Sequence, residues 1–563
     1  MIHARPGHQG LCRTRVAAAV SGLLAVLGLL LVGAAPAGAT GYVPISGDGS
    51  SLSAGALDQW IADVHADGIQ VNYTSDGSTT GRQNFILGQN DFAASDIPFQ
   101  TDPGDGSAPE HPQQGSYAYM PITAGGTVFM YNLKINGQRV TNLRLSGENL
   151  TKIFTGAINN WDDPALQADN PALKLPDQTI VPVVRSDGSG TSFELSEWMI
   201  SQFPGLWNSY CQRAGRAPAC GATSFYPTVS GMIAQNGDLG VSSYVSQAFA
   251  NGSIGYVNYY YAITTGFPVA LMLNADGYYT EPTPQNVAVS LLQDRVDTTD
   301  VNNPALYLTQ QLSGVYTDPD PRTYPLSSYG YLILPTSTEK SFTTAKGLTL
   351  SAFADYSICQ GQQQAAALGY SPMPANLVEA GFNQIAKIPG ANLQYNNIQN
   401  CNNPTFASAS GPNVNLLAQT APYPPACDKQ GPTQCTGGTG GATATATAVS
   451  GNPSAGVGAG GAAAGAAGAA GAGTSSKSGT KGAVPGAAGT TTTTSCDPTA
   501  SNCSGGSGDG SAGSAGAQTA TLAVSRGWSF TETLFVLIGL ALLALILLPG
   551  LLLRRLDRSR SDE

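Results

Sequence analysis

The sequence predicts an exported α/β protein with a long C-terminal appendage, and three observations support this prediction. Short β-branched runs alternate with segments of helical spacing, as where the apolar run 181–184 is followed by Phe193, Leu195 and Trp198. Residues 1–39 combine a basic start, an apolar stretch and a small-residue cleavage site, which is typical of a secretory signal. Residues 437–525 are rich in Gly, Ala, Thr and Ser, a composition that cannot bury a core.

Composition narrows the function classes. The chain has 563 residues and a net charge of −11, which argues against a nucleic-acid binder. Any anion must therefore be captured by local donors rather than by a general positive field. Of the four histidines, two lie in the signal segment, so neither a His-rich zinc site nor a Ser–His–acid triad is expected. No Gly-Lys pair, and hence no Walker A loop, occurs. We expect no cofactor, no metal and no catalytic residue.

The N-terminal segment has one alternative interpretation. Its apolar stretch, residues 16–32, is slightly long for a signal peptide, so an N-terminal membrane anchor stays open. Cys12 precedes that stretch and cannot be a lipoprotein cysteine at the cleavage site. We therefore expect no lipid anchor.

Three Gly/Ser-rich turns each precede a segment of helical spacing. They are residues 47–52, 74–81 and 185–191. The first turn of a helix presents backbone N–H groups without intrahelical partners, where the macrodipole is positive. Three such helix starts could converge on one anion. The alternative is that each turn only caps its own helix.

The third turn carries the most specific chemistry. Arg185 supplies a permanent charge with a planar fork that suits tetrahedral oxyanions. Gly190 allows an anion to approach the backbone, while Ser189 and Thr191 add hydroxyl donors. Asp187 is expected to hold the guanidinium in place. An ordinary capped turn would have the same pattern of glycine and hydroxyl residues.

Together, several segments carry a family resemblance. The run ending in Ala-Ser-Asp96, the helical segment 150–161, the Arg-Ser-Asp-Gly-Ser-Gly-Thr turn and the run 252–257 occur in one order. Over roughly residues 42–410 the sequence resembles the substrate-binding protein of the bacterial phosphate-specific ABC transporter. The resemblance implies a two-lobed, periplasmic-binding-protein-like (type II) α/β fold with two crossing hinge strands. Lobe I would comprise residues 42–122 and 324–412, and lobe II residues 123–323.

The resemblance also implies a phosphate site between the lobes. The family usually has Thr-Phe where this chain has Ser51-Leu52, so we expect those two residues to bind mainly through backbone N–H groups. The role of Asp96 can be argued independently, because phosphate keeps an acidic proton at neutral pH and sulfate does not. A buried carboxylate accepts a hydrogen bond from P–OH but repels a fully ionised oxyanion. The expected phosphate-binding residues are Ser51, Leu52, Ser78, Asp96, Arg185, Ser189, Gly190 and Thr191, with Asp187 in support.

The cysteines indicate disulfides. Processing would remove Cys12 and leave eight, an even number in an exported chain. A metal site is the weaker alternative, since no C-x-x-C occurs. Local order favours the pairs Cys211–Cys220, Cys359–Cys401, Cys427–Cys435 and Cys496–Cys503.

The C-terminal part predicts a membrane tether. We expect a cysteine-containing extension at 413–436, a disordered linker at 437–525, a transmembrane helix at 530–553 and a cytoplasmic tail at 554–563. The segment 534–553 is almost entirely apolar and long enough to span a bilayer. Four arginines follow it directly, which places the C-terminus in the cytoplasm and the globular part outside.

The leading functional prediction is therefore a membrane-tethered, extracytoplasmic protein that binds inorganic phosphate for an ABC importer. Its partners would be phosphate, an ABC permease and the membrane, and it would act as a monomer rather than as an enzyme. Three alternatives stay open: a secreted phosphohydrolase with Ser189 or Thr191 as nucleophile, a surface adhesion or structural protein, and a binding protein for another oxyanion such as sulfate or molybdate.

Overall fold

The computed structural model describes residues 41–406 and 415–445. The predicted signal peptide, the transmembrane helix, the cytoplasmic tail, the Cys496–Cys503 pair and most of the predicted linker lie outside these residues. Within the described ranges, no helix combines the length and the apolar character needed to cross a bilayer.

The described residues form thirteen strands and fourteen α-helices. The strands are β1 (Ile45–Gly49), β2 (Val71–Thr74), β3 (Phe92–Ser95), β4 (Tyr117–Asn132), β5 (Lys134–Ile135), β6 (Gln138–Arg139), β7 (Arg144–Leu145), β8 (Val181–Arg185), β9 (Ile233–Gln235), β10 (Ser253–Asn258), β11 (Leu271–Leu273), β12 (Tyr279–Thr280) and β13 (Ser327–Pro335). The helices are α1 (Ala54–Val64), α2 (Ser78–Leu87), α3 (Gly147–Phe154), α4 (Pro164–Asp169), α5 (Gly190–Gln202), α6 (Pro204–Arg213), α7 (Gly237–Val245), α8 (Tyr259–Thr265), α9 (Pro284–Ser290), α10 (Ser313–Tyr316), α11 (Thr344–Ile358), α12 (Gln362–Ala365), α13 (Ala375–Ile385) and α14 (Leu416–Thr420). The predicted α/β class is confirmed.

One long strand joins two sets of parallel strands. The main sheet has the order β2-β1-β3-β13-β4-β10-β8-β9. The first part of β4, residues 117–126, pairs with β13, and its second part, residues 127–132, pairs with β10. We call the strands β2, β1, β3 and β13 the β1 side, and the strands β10, β8 and β9 the β8 side. Every residue of β4 and β13 is buried, as expected of strands covered on both faces.

Strand directions explain where a site can form. Since β13 is antiparallel to both β3 and β4, β1, β2 and β3 run in the same direction as β4, toward its middle. Strand β10 is antiparallel to β4, and β8 and β9 run parallel to β10, so this set also runs toward the middle of β4. The carboxyl ends of both sets therefore meet, and that edge is where α/β proteins place their ligands.

The helices that follow these strands begin at the same place. The chain passes from β1 into α1, from β2 into α2, from β8 into α5 and from β9 into α7. The buried faces of α1 and α5 contribute Trp60 and Trp198 to the apolar core, each at most 3% exposed, and α7 contributes Val241 and Val245 to a second apolar cluster. The packing thus holds four helix N-termini near the middle of β4.

The C-terminal extension packs against the small sheet of β12, β11 and β7. The Arg144 guanidinium of β7 donates to the carbonyl oxygen of Thr433 at 2.8 Å and pairs with Asp428 at 2.9 Å. Thr439 and Ala442 are buried, and the Thr439 amide donates to the carbonyl oxygen of Thr141 at 3.0 Å. The structure therefore differs from the predicted linker start at 437. The prediction rests on the small number of apolar side chains, whereas residues 437–445 are held by hydrogen bonds of their backbone, which composition does not reveal.

Three of the predicted disulfides are confirmed. Their Cα–Cα distances are 5.8 Å for Cys211–Cys220, 4.9 Å for Cys359–Cys401 and 5.1 Å for Cys427–Cys435. All three distances lie in the range that a disulfide requires. The third bridge closes the loop that lies against Arg144.

Candidate functional site

The predicted site residues of the two sides lie in direct contact. The Thr79 amide at the start of α2 donates to the carbonyl oxygen of Gly188 at 2.9 Å. A Cβ atom on Gly190, the first residue of α5, would lie 2.7 Å from the Cβ of Asp96 and 2.9 Å from the Ser78 hydroxyl. Any side chain at position 190 would therefore collide with the opposite turn. The helix starts of α2 and α5 and the end of β3 form one buried site.

The second turn needs a glycine for a different reason. Gly77 precedes α2 with a φ of +107°, a conformation that other residues adopt only with strain. A Cβ there would also lie 2.7 Å from an Asp187 carboxylate oxygen. The turn that presents Ser78 can therefore approach Asp187 only because position 77 has no side chain.

Arg185 is held by carboxylates from two turns. Its side chain is 1% exposed; Nε donates to Asp187 Oδ1 at 2.8 Å, and Nη1 donates to Asp238 Oδ2 at 2.9 Å. Asp187 Oδ2 accepts from Nη2 as well, and Asp187 Oδ1 accepts the Gly237 amide at 2.8 Å. Among the described residues these bonds use three of the five guanidinium N–H groups. One N–H on Nη1 and one on Nη2 are left for a ligand.

The charges of this cluster are coupled. Burial alone would lower the pKa of Arg185, but the carboxylates of Asp238 and Asp187 outweigh it and raise that pKa. Burial alone would raise the pKa of Asp187, but the neighbouring Arg185 lowers it below its ordinary value. Both groups are therefore charged at neutral pH, and the guanidinium is a fixed cation in the site.

Asp96 has a different electrostatic environment. It is 1% exposed, and it accepts hydrogen bonds from the Ser50 hydroxyl and, at 3.2 Å, from the Thr191 hydroxyl. Burial is the main cause that raises its pKa, and Asp238 adds to the rise, while the Ser50 bond opposes it. In the part of the chain that the structure describes, this carboxyl group has hydroxyl partners and no ion pair. Such a buried carboxyl group is suited to accept a hydrogen bond from a protonated ligand.

The remaining predicted residues are buried in the same place. Ser189 caps α5 by accepting the Ser192 amide at 3.2 Å, and the Ser78 hydroxyl accepts the Asp96 amide at 3.4 Å. The Leu52 amide, expected as a ligand donor, instead donates to the Ser50 hydroxyl at 3.0 Å.

Three tyrosines fix the carbonyl groups of the first turn. Tyr73 donates to the Ser50 carbonyl oxygen at 2.7 Å, Tyr261 to that of Ser51 at 3.0 Å, and Tyr370 to that of Leu52 at 2.7 Å. With successive carbonyl groups bonded in this way, the orientation of the intervening peptide planes is fixed.

Comparisons with known proteins identify the family of this chain. The model of the PBP superfamily domain matches residues 34–360, which is more than half of the chain. The phosphate-binding protein PstS of Xylella fastidiosa strain 9a5c is 31% identical over 60% of this chain and 84% of the relative. The chain belongs to the phosphate-binding protein family. The Haemophilus influenzae member is 30% identical over 59% of this chain and 90% of its own length.

The fold is accordingly periplasmic-binding-protein-like, and this family member is a substrate-binding protein rather than an enzyme. A solved human phosphate-binding apolipoprotein is 17% identical, with a TM-score of 0.47, and covers 62% of this chain and 99% of its own.

Sequence reasoning missed two residues of this candidate site, Ser50 and Asp238. Asp238 is completely buried at the second position of α7. The signal that could have found it is the passage from the short strand β9 directly into a helix, whose first turn carries Asp238. That strand is partly exposed and has no long apolar run to mark it.

Proposed function

We propose that this chain binds inorganic phosphate outside the cytoplasm and delivers it to an ABC-type permease in the membrane. The observation that carries the proposal is the contact of Asp96, from the β1 side, with the start of α5, on the β8 side that also carries Arg185. One buried site thus combines a fixed cation, amide donors and a proton acceptor.

The groups of this site match the chemistry of HPO₄²⁻. Phosphate oxygens without protons would accept the two remaining Arg185 N–H groups and the amides of Gly190 and Thr191 at the start of α5. The P–OH group would donate to Asp96. The proposed contacts also include Ser78 and Ser189 through their hydroxyls and Ser51 and Leu52 on the first turn, with Asp187 in support. Of these, Leu52 is the one whose amide must first leave Ser50.

We further propose that the β1 side and the β8 side are two lobes, residues 42–122 with 324–412 and residues 123–323, hinged at β4 and β13. Hydrogen bonds between the lobes, such as the 2.6 Å bond from the Thr223 hydroxyl to Asp105, would form on closure. A ligand that touches both lobes favours the closed state by its extra contacts there.

The proposed setting is the outer face of a cell membrane. A signal peptide at 1–39 would direct export, and the exported protein would act as a monomer. The extension that begins at 413 and the linker that ends at 525 would form a tether. A transmembrane helix at 530–553 would anchor the protein, with the tail 554–563 in the cytoplasm. The apolar stretch at 534–553 and the arginines that follow it support the anchor and its orientation, and the basic start and apolar stretch of residues 1–39 support export.

Calorimetric titration of the purified full-length chain with phosphate, sulfate and arsenate tests the binding function. We expect saturable binding of one phosphate per chain, with arsenate competing and sulfate much weaker. A chromogenic phosphate ester in a parallel assay should release no product. Sulfate binding as tight as phosphate binding, or release of product, would refute the proposal.

A further inference from the structure

We infer that Asp238 is a positioning residue that joins the two sides of the sheet across the site, and the inference rests on the proposed phosphate-binding function. Asp238 contacts Ser51 on the turn between β1 and α1, and it contacts Arg185 at the end of β8. It therefore links the first turn of one side to the cation of the other.

Both carboxylate oxygens of Asp238 are bonded. Oδ1 accepts the Asn258 amide at 2.9 Å, which fixes the carboxylate to the end of β10. Oδ2 accepts from Arg185 Nη1 at 2.9 Å and from the Ser51 hydroxyl. The Ser51 oxygen in turn accepts the Asp238 amide at 3.3 Å. The contact between Ser51 and Asp238 is thus reciprocal, and it is completely buried.

Counting hydrogens shows what each group can do. A serine hydroxyl has one hydrogen, and Ser51 gives it to Asp238. The Ser51 hydroxyl therefore cannot also donate to an oxyanion while this bond stands, so its contribution to binding is to hold the two sides together. The backbone of the same turn is the part that faces the ligand in the proposed function.

Asp238 also determines how Arg185 presents its fork. Asp187 binds the Nε and Nη2 groups, and Asp238 binds one hydrogen of Nη1. With bonds on two edges the guanidinium cannot rotate in its plane, and its two remaining N–H groups keep one direction. A planar fork loses affinity for a tetrahedral oxyanion when its orientation is not fixed.

The test is a double-mutant cycle on the full-length chain, with inorganic phosphate as the ligand. The variants are Ser51→Ala, Asp238→Asn and both together, and each is measured by calorimetry and by stopped-flow association and dissociation. We expect each single variant to weaken phosphate binding roughly tenfold or more, as the loss of a hydrogen bond to a charged acceptor predicts. The weaker binding should appear as a faster dissociation rate of phosphate, because the bond between Ser51 and Asp238 forms only when the two sides are closed.

The cycle separates coupling from general damage. Because both substitutions break the same link, the double variant should bind no more than about twofold more weakly than Asp238→Asn alone. Ser51→Thr keeps the hydroxyl and should bind within about threefold of the wild type. Ser53→Ala is the matched control, since Ser53 is buried on the same turn and its hydroxyl, among the described residues, bonds Thr123 at 2.9 Å and not Asp238. The affinity of this variant should stay within about twofold of the wild type.

Two outcomes would overturn the inference: an unchanged affinity in Ser51→Ala, or single effects that multiply in the double variant. If Asp238→Asn does not fold, as judged by circular dichroism, the comparison of Ser51→Ala with Ser51→Thr and Ser53→Ala still shows whether the Ser51 hydroxyl contributes to phosphate affinity. A wild-type chain that binds no phosphate would refute the proposed function itself, which is a different result from wild-type binding that Ser51→Ala leaves intact.

Discussion

Replacing Asp96 by asparagine should remove the discrimination between phosphate and sulfate. Asp96 is 1% exposed, and within the described residues the hydrogen-bond partners of its carboxyl group are the Ser50 and Thr191 hydroxyls. In the wild type it would accept the P–OH of phosphate, whereas sulfate offers no proton and would face the carboxylate directly. An asparagine amide has no charge and can donate to a sulfate oxygen.

The size of the effect follows from the energies of buried hydrogen bonds. A hydrogen bond to a charged group contributes about 1.5–3 kcal/mol, and leaving a buried charged acceptor unpaired costs a similar amount. Together these give about 3–6 kcal/mol between the two anions, or roughly 10²- to 10⁴-fold in affinity. In Asp96→Asn the ratio should fall to about tenfold or less, with phosphate binding more weakly and sulfate more tightly.

Titration calorimetry with both anions at about pH 8 measures the ratio, because phosphate keeps one proton there. Asp102→Asn makes the same change at an exposed position of the same side and should leave the ratio as in the wild type. Burial raises the pKa of Asp96 above that of an ordinary carboxyl, so wild-type discrimination against sulfate should also fall as the pH is lowered through that value. An Asp96→Asn variant with wild-type selectivity would refute the reasoning.

Three further predictions concern charge, pH and covalent structure. Arg185→Lys keeps the charge but loses the planar fork, so phosphate should bind about 10- to 100-fold more weakly; equal affinity by calorimetry would contradict this. Burial raises the pKa of Glu281, which accepts the Gly440 amide, to about 7. Because its pKa in the folded protein lies above its pKa in the unfolded chain, Glu281 contributes its full stabilisation below about pH 4.5. That contribution to the free energy of unfolding is lost as the pH rises through 7, by at most about 3 kcal/mol. Glu281→Gln should abolish that fall in urea unfolding at pH 5 and pH 8, and an unchanged slope would disprove it. Replacing Cys359 and Cys401 together by serine opens a loop with a sequence separation of 42, which loop-closure entropy predicts to cost about 4 kcal/mol; a loss below about 1 kcal/mol in the same assay would count against that account.

Local signals explain which parts of the site could be predicted. The turns before α2 and α5 carry glycine and hydroxyl residues between an apolar strand and a helix, and this local pattern marks each turn without reference to its distant partners. Asp238 acts through partners far away in sequence, Ser51 and Arg185, and no local pattern marks such a contact. The alternation of strands and helices likewise predicted the α/β class, whereas the shared use of β4 by both sides depends on pairing that periodicity does not encode.

The attachment of residues 427–445 to the small sheet of β12, β11 and β7 has a mechanical consequence. Thr445 is the last described residue of this extension, and its carbonyl oxygen accepts the Thr141 hydroxyl at 2.9 Å. A force applied through the C-terminus would therefore act on the backbone at Thr141 and Arg144, rather than on the turns that carry Ser78 and Asp96. In the proposed tethered protein, a pull on the C-terminal segment would therefore act on lobe II and would leave the proposed movement of lobe I, which carries Asp96, unloaded.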